Sequence, residues 1–529
     1  MNGIVGYSGF VGSNLLQYYI FDNFYNSKNF KNAINKHFDV LFFCGLPAVK
    51  WYANKNPDED YNNIENIKNI LNTITCNKFI LISTIDVYEI TNNNLLNEDY
   101  DCNYDKNHTY GKHRYLFEKY IANKFENYHI IRLPALFGKG LKKNIIYDLI
   151  NNNQIDKIPY YSSFQWYDLN RLNNDIEIVI KNNIKICNLF TEPLDTKDII
   201  KVFNKVYNIN YDFQIEYLNS VESFNKKIIY NICTKYSKLF GSNLNNYICD
   251  KNEVLDRIEE FLNYTKLDKS NLCVSNICVN KMSQLQFAYI LKLHGITNIQ
   301  IAPTKLIDWN NINKLDLSLY KKCGLNVYAF QSITYTLNDL NIFSSTQDKL
   351  LKHLKQVIDC AVKNKVHVLV FGCPRNRKII DVNIDNKSIF IDFFKKISDY
   401  CYDKNIIICL ENNSKKYNCN FINTIDECAH LVRKINKKNI KMMVDLGNAV
   451  MENDHWYYLK KHMDIIYNID VSNPNMADFV NVHESNSIFN FVLKNNNYNK
   501  MINLEMLINN SDDELNILNK SLSNFIQIY

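Results

Sequence analysis

The sequence predicts an α/β protein in two parts, a doubly wound parallel sheet followed by a closed (β/α)8 barrel. Three observations carry this. A short apolar run enters a glycine loop in NGIVGYSGFVG, residues 2–12. Further apolar runs at 38–45, 78–84, 129–138 and 184–191 alternate with helical patterns, as a parallel sheet requires. From residue 271 onward eight strand-like runs are separated by amphipathic stretches, the alternation of a (β/α)8 barrel.

At 529 residues the chain exceeds one ordinary domain, and the change of pattern places the parts at 1–264 and 271–529. Its 61 basic and 55 acidic residues are interspersed without a Lys/Arg block, which speaks against nucleic acid as a partner. No apolar run is long enough to span a bilayer and the first residues carry no basic leader, so the expectation is a cytoplasmic protein without a membrane partner. The 15 cysteines show neither a CxxC pair nor zinc spacing and are expected to be reduced core thiols.

The first element ends in Gly6, Gly9 and Gly12, with Phe10 and Val11 opening a helix that Leu15, Leu16, Tyr19 and Ile20 continue. Glycines there permit a tight turn, close approach of main-chain N–H groups to a pyrophosphate and close helix–strand packing, the dinucleotide-binding or Rossmann arrangement. Where an acidic residue would hold an adenosine ribose the chain reads YNSKNF. Ser27 and Lys28 suit a 2′-phosphate, so NAD and NADP both stay open. The third run delivers Ser83 and Thr84 to the strand ends where such sheets bind ligands. In TYGKHRY, residues 109–115, Tyr110 and Arg114 lie four apart and share a helix face. A permanent cation there lowers a tyrosine pKa, while Lys112 points away. GLPAVKWYANKNPDED, residues 45–60, follows a strand end and either lines a sugar site or forms a packed surface loop. Residues 225–270 read as closing helices and a linker.

Taken in order, GYSGFVG, STIDVY, TYGKHRYLFE and RLPALFGKG resemble the extended short-chain dehydrogenase/reductase family over roughly residues 1–264. That resemblance implies an NAD(P)-dependent enzyme acting on nucleotide sugars, with Thr84 and Tyr110 as catalytic hydroxyls, Gly6, Gly9 and Gly12 in the cofactor loop, and a homodimer through the Tyr110 helix. Two positions depart from the family pattern. Arg114 replaces the family's lysine, and Ile85 replaces the aspartate of sugar dehydratases, which leaves reduction, oxidation or epimerisation.

The second half runs through 272–277, 298–303, 326–332, 366–372, 405–412, 440–447, 465–473 and 501–507. Polar residues interrupt four successive runs toward their C-terminal ends: Glu411, Asp445, Asp470 and Glu505. That end is the active face of a (β/α)8 barrel, and four carboxylates converging on one mouth require a cation. An all-oxygen set favours Mg or Mn over Zn. Arg375 and Arg377, beyond the fourth run, suit a substrate phosphate or carboxylate.

IQIAPTK, FQS, VFGCPRNR, CLENN, VDLGNA, DVSNPN and NLEML resemble, in order, the sugar phosphate isomerase/epimerase branch of the xylose isomerase-like TIM barrels. The resemblance implies a divalent metal on Glu411, Asp445 and Glu505, with Glu411 and Glu505 as proton acceptor and donor at a substrate carbon, and His483 kept near the substrate. Asp470 and Asn448 stand where histidines are usual. A DNA-repair nuclease of the same superfamily needs more histidine ligands than Asn448, Asp470 and Asn481 leave. The sequence therefore reads as a fused, bifunctional carbohydrate enzyme. Arg114 and Asp470 keep open a binding or scaffold protein with one or both sites inactive.

Overall fold

A computed structural model describes residues 1–89, 96–209, 211, 227–509 and 513–529. The chain divides into two compact units, Met1–Leu267 and Asp268–Tyr529.

The first unit is built on a six-stranded parallel sheet of β1 (Asn2–Val5), β2 (Asn23–Tyr25), β3 (His37–Phe43), β4 (Thr75–Thr84), β5 (Tyr128–Leu133) and β9 (Ile186–Asn188), in spatial order β2-β1-β3-β4-β5-β9. Strand order reverses between β1 and β3, the kind of position at which open parallel sheets bind ligands. Phe38, Phe43, Phe79, Phe117 and Phe125 form its core, with the Phe43 and Phe79 rings stacked at 5.9 Å. Helices α1 (Phe10–Leu15), α2 (Lys50–Lys55), α3 (Pro57–Leu71) and α4 (Thr109–Lys124) follow the strands.

Two expected elements differ. The run 129–138 is not one strand. It breaks at Pro134, after which β6 (Ala135–Phe137) leaves the main sheet to pair with β8 (Trp166–Asp168), because proline has no N–H to continue a ladder. The other two short strands, β7 (Ser163–Phe164) and β10 (Leu194–Asp195), pair with each other. Helix α1 stops at Leu15 rather than running on through Ile20. Gln17 and Tyr18 bond three residues back, to Asn14 and Leu15 carbonyls, which tightens the chain toward β2.

The second unit is a closed parallel barrel of β11 (Leu272–Ser275), β12 (Asn298–Ile301), β13 (Asn326–Phe330), β14 (Val368–Phe371), β15 (Ile407–Glu411), β16 (Ile440–Asp445), β17 (Ile466–Val471) and β18 (Ile502–Leu504), with β18 pairing back onto β11. Helix Gln347–Asn364 buries Leu350, Leu354, Val357, Ile358 and Ala361 at helical spacing. Ala329, Val368, Val370, Cys409 and Met443 pack together as a core cluster. All the cysteines are free thiols, and among the described residues no helix is long and apolar enough to cross a membrane.

Candidate functional site

At the C-terminal mouth of the barrel, a cleft of about 680 Å³ is lined by Glu411, Asp445 and Glu505 together with Gln331, Asn413, Tyr417 and Asn448. Glu411 and Asp445 end β15 and β16, and Glu505 follows β18, its N–H bonded to the Val471 carbonyl at 2.9 Å. Ser332, Thr336, Cys373, Asn418 and Met476 also line the cleft, with φ between 45° and 74°. Left-handed backbone at Thr and Met costs about 1–3 kcal/mol per residue and is retained where a loop must present a site.

Amides hold each carboxylate. Asn413 Nδ2 donates to Glu411 Oε1 at 2.7 Å and Gln331 Nε2 to Glu505 Oε1 at 2.8 Å. Asn448 Nδ2 donates to Asp445 Oδ2 at 2.6 Å, and Gln300 Nε2 to Asp470 Oδ2 at 3.1 Å. Gln300 Nε2 also donates to Gln331 Oε1, so one chain of amides links Asp470 to Glu505. Burial raises the pKa of all four acids. Asp445 and Asp470 raise Glu411 further, Asp470, Glu411 and Asp445 raise Glu505, and Asp445 raises Asp470. Four such groups in so little water each require a proton or a cation.

The donor set suits an oxygen-preferring divalent ion. Asp470 Oδ1 and Gln300 Oε1 are buried without a hydrogen-bond partner, and Gly372 leaves room for Glu411, since a Cβ there would lie 2.3 Å from Glu411 Oε2. Convergence on one point is not preformed, however. Among the described residues no three of His, Cys, Asp and Glu are gathered closely enough to hold an ion.

Three expected site residues fall elsewhere. Asp470 is 1% exposed and lies outside the cleft lining, bonded by Gln300. Arg377, expected at a substrate anion, is 0% exposed. Its Nη1 bonds the Glu411 carbonyl at 2.7 Å and its Nη2 the Asn413 Oδ1 at 2.8 Å, so this guanidinium braces the strand end. His483 is exposed and bonds Ser485 Oγ at 2.8 Å, outside the cleft. Arg375 does line the cleft and is exposed.

In the first unit, Gly6 has φ +88°, and a Cβ on Gly12 would lie 2.2 Å from the Gly6 carbonyl. The loop therefore packs on α1 as closely as a dinucleotide turn requires, with Phe10 and Val11 at the start of α1. Ser27 and Lys28 are exposed just beyond β2. Thr84 ends β4, and its Oγ1 accepts from Asp86 N at 3.2 Å. Tyr110 lies in the first turn of α4. Gly111 behind it is dictated by contact, because a Cβ would meet the Asp86 carbonyl at 2.0 Å.

Arg114 departs from expectation. Its guanidinium stacks on the Tyr110 ring at 4.0 Å, but its Nη1 and Nη2 are committed to Asp60 and the Pro47 carbonyl, its Nε is buried without a partner, and the side chain is 2% exposed. It is a buried clamp and does not reach out to a ribose.

Sequence reasoning passed over Gln331, Gln300 and Tyr417. The two glutamines interrupt apolar strands as the carboxylates do, a signal present in IQI and FQS. Tyr417 carries no local signal among 36 tyrosines, yet its hydroxyl is buried without a partner, and burial with Asp445, Glu505 and Glu411 nearby raises its pKa.

A family model described as "Xylose isomerase-like TIM barrel" matches residues 292–520. Among solved structures the chain is similar to the 3-keto-D-glucoside 4-epimerase of E. coli, at 14% identity, covering 49% of this chain and 99% of that one with a TM-score of 0.41. It is similar to D-psicose 3-epimerase from Clostridium cellulolyticum H10, at 14% identity over 49% and 98% of the two chains, TM-score 0.41. D-allulose 3-epimerase from Methylomonas sp. gives 17% identity over 50% and 99%, TM-score 0.41. No curated protein matches the chain.

Proposed function

We propose that the barrel unit is a metal-dependent isomerase or epimerase of a sugar or sugar phosphate. One observation carries this: Glu411 and Glu505 line the same cleft, both with proton affinity raised by burial and by neighbouring carboxylates. Paired acids whose environments raise their pKa values supply a general acid and a general base near neutral pH. Asn413 and Gln331 each tie down one oxygen of a glutamate, which leaves the other for a substrate C–H. One glutamate takes the proton from carbon and the other returns one. Asp445 and Asp470, with Glu411 and Glu505, would hold Mg or Mn, which when bound polarises the substrate carbonyl. Arg375 at the mouth suits an anionic substituent.

The test is solvent-exchange NMR of ketohexoses and their phosphates in D2O with Mn or Mg. Deuterium entering carbon beside the carbonyl, and lost in both Glu411→Gln and Glu505→Gln, supports the reading. Absence of exchange with every sugar tested would remove it.

For the first unit we infer an NAD- or NADP-dependent epimerase or reductase of a nucleotide sugar. Gly6, Gly9, Phe10, Val11 and Gly12 would hold the pyrophosphate and Ser27 and Lys28 the adenosine ribose or its phosphate. The nicotinamide supplies hydride transfer when bound. Tyr110 exchanges a proton with a sugar hydroxyl and Thr84 hydrogen-bonds the same oxygen. The fusion suits consecutive steps on related carbohydrates. Thermal stabilisation of the full chain by one of NAD, NADH, NADP or NADPH is the expected result, and none with all four would sink this half of the proposal.

A further inference from the structure

The cleft at the barrel mouth is divided by charge. Among the described residues that line it, the acids are Glu411, Asp445 and Glu505, and the cations are Arg375 and Lys416. Both cations are exposed, on the loops after β14 and β15. Neither side chain has a hydrogen bond or ion pair with another described residue.

Hydrogen bonds join the two loops that carry these cations, and a third loop, into one arc. Thr334 Oγ1 donates to Asn376 Oδ1 at 2.6 Å, and Asn376 Nδ2 donates to the carbonyls of Leu337 and Leu340, both at 2.7 Å. The loop after β13 is thereby fastened beside Arg375. Lys378 Nζ donates to Asn418 Oδ1 at 2.6 Å and Ile379 N to Asn420 Oδ1 at 2.8 Å, which ties the Arg375 loop to the Lys416 loop.

On the loop after β13 stands Tyr335, 66% exposed and also part of the cleft lining. Its main-chain carbonyl accepts from Trp309 Nε1 at 2.7 Å, and its N–H donates to the Ser332 carbonyl at 3.0 Å. Ser332 and Thr336 have φ of 51° and 74°. A ring left so far in solvent adds little to the core, while the left-handed backbone that presents it costs free energy. That is the pattern of a loop shaped for a ligand.

We propose that the barrel cleft takes a nucleoside diphosphate-linked sugar, with Arg375 and Lys416 on the diphosphate, Tyr335 stacked on the base and the sugar against Glu411 and Glu505. This rests on the reading of those two glutamates as the acid and base of a sugar isomerase or epimerase, and names its substrate class. Each part of such a ligand meets the chemistry it needs. Two unpaired cations suit two phosphoryl groups, the guanidinium as a fork and the ammonium as a point charge. An aromatic face takes any base by stacking. The sugar, which carries no charge, is the part that can lie against carboxylates. A free hexose would leave the arc unused, and the cleft of about 680 Å³ is of the size that encloses far larger ligands.

The test is calorimetric titration of the full chain with UDP, ADP and GDP, and in parallel with glucose 1-phosphate and inorganic phosphate. At least one nucleoside diphosphate is expected to bind more tightly than either phosphate. Tyr335→Ala is expected to weaken that nucleotide by about five-fold or more and to leave glucose 1-phosphate unchanged. Arg375→Met and Lys416→Met should each weaken both by about ten-fold, and less at high salt. All three side chains are exposed, so the variants keep the wild-type fold, which thermal unfolding checks. Nucleotide binding unmoved by all three variants would assign it to the first unit and overturn the proposal, as would no binding of any nucleoside diphosphate. Phosphates that bind as tightly as the nucleotides, with no loss in Tyr335→Ala, would overturn it in favour of a sugar phosphate. Nucleotide binding through these three residues, with no deuterium entering the sugar of any nucleotide sugar tested, leaves the ligand assignment standing and removes the isomerase reading instead.

Discussion

Arg377 Nη1 donates to the main-chain carbonyl of Glu411 at 2.7 Å from a guanidinium with no solvent exposure. Its second nitrogen holds Asn413, whose amide holds the Glu411 carboxylate, so one buried cation fixes both ends of that glutamate. Hydrogen bonds to charged groups contribute roughly 1.5–3 kcal/mol each, and partners left buried and unpaired add to the loss. Arg377→Met is therefore expected to destabilise the barrel unit by about 2–4 kcal/mol in denaturant unfolding. Arg375→Met, exposed at the mouth, should leave the midpoint in place and raise KM for an anionic sugar. Equal stability for the two variants would contradict the assignment.

The carboxylate cluster predicts a pH dependence with a definite sign. Each of Glu411, Asp445, Asp470 and Glu505 has a folded-state pKa above its unfolded value, chiefly from burial. The folded state then binds more protons, and stability falls as pH rises from the unfolded carboxylate range, about 4, up through the folded pKa values. A divalent cation that takes the place of those protons should flatten the slope. Thermal unfolding between pH 5 and 8, in EDTA and in Mn, is expected to show Tm falling with pH only in EDTA. A Tm that is flat in both would mean that the acids are not repelling one another.

The closed barrel and the parallel sheet of the first unit were legible because the sequence states them through period. Apolar runs of strand length alternating with amphipathic helices leave few alternatives, and a glycine triplet fixes the first turn. Pro134 was equally visible, but an apolar run on both sides of it masked the strand break. The barrel carboxylates stood out because a charge inside an apolar strand is costly. Gln300 and Gln331 interrupt strands in the same way at lower cost, so they drew less notice. The fates of Arg114, Arg377 and His483 could not be read, since residue type and spacing do not tell whether a side chain meets ligand, solvent or a buried partner. Asp60, which claims Arg114, lies 54 residues away.

Gly372 gives a sharper test of the cleft. Its backbone is not in a left-handed conformation, so alanine costs nothing in φ; the obstacle is Glu411 Oε2, 2.3 Å from the added methyl. Gly372→Ala should leave the thermal midpoint within a few degrees of wild type and lower carbon–deuterium exchange by roughly 10²-fold, the order of loss when a catalytic group is displaced by about an ångström. Wild-type exchange in that variant would place the reacting atoms away from Glu411.

Asp470 separates stability from function. It is the most enclosed of the four acids, it lies outside the cleft lining, and its Oδ1 has no partner, so in the absence of a cation its repulsion against Asp445 is offset only by the amide bond from Gln300 to its other oxygen. Asp470→Asn keeps the shape and removes the charge. In EDTA at pH 8 the variant is expected to be more stable than wild type by about 1–3 kcal/mol, because the raised proton affinity no longer has to be overcome. In Mn the order should reverse, since wild type gains the free energy of ion binding and the variant has lost a ligand oxygen. A variant destabilised in both conditions would show that Asp470 is held by its amide partner for structure alone, and would remove it from the metal set. A variant stabilised equally in both would show that the ion, if bound, is held without it.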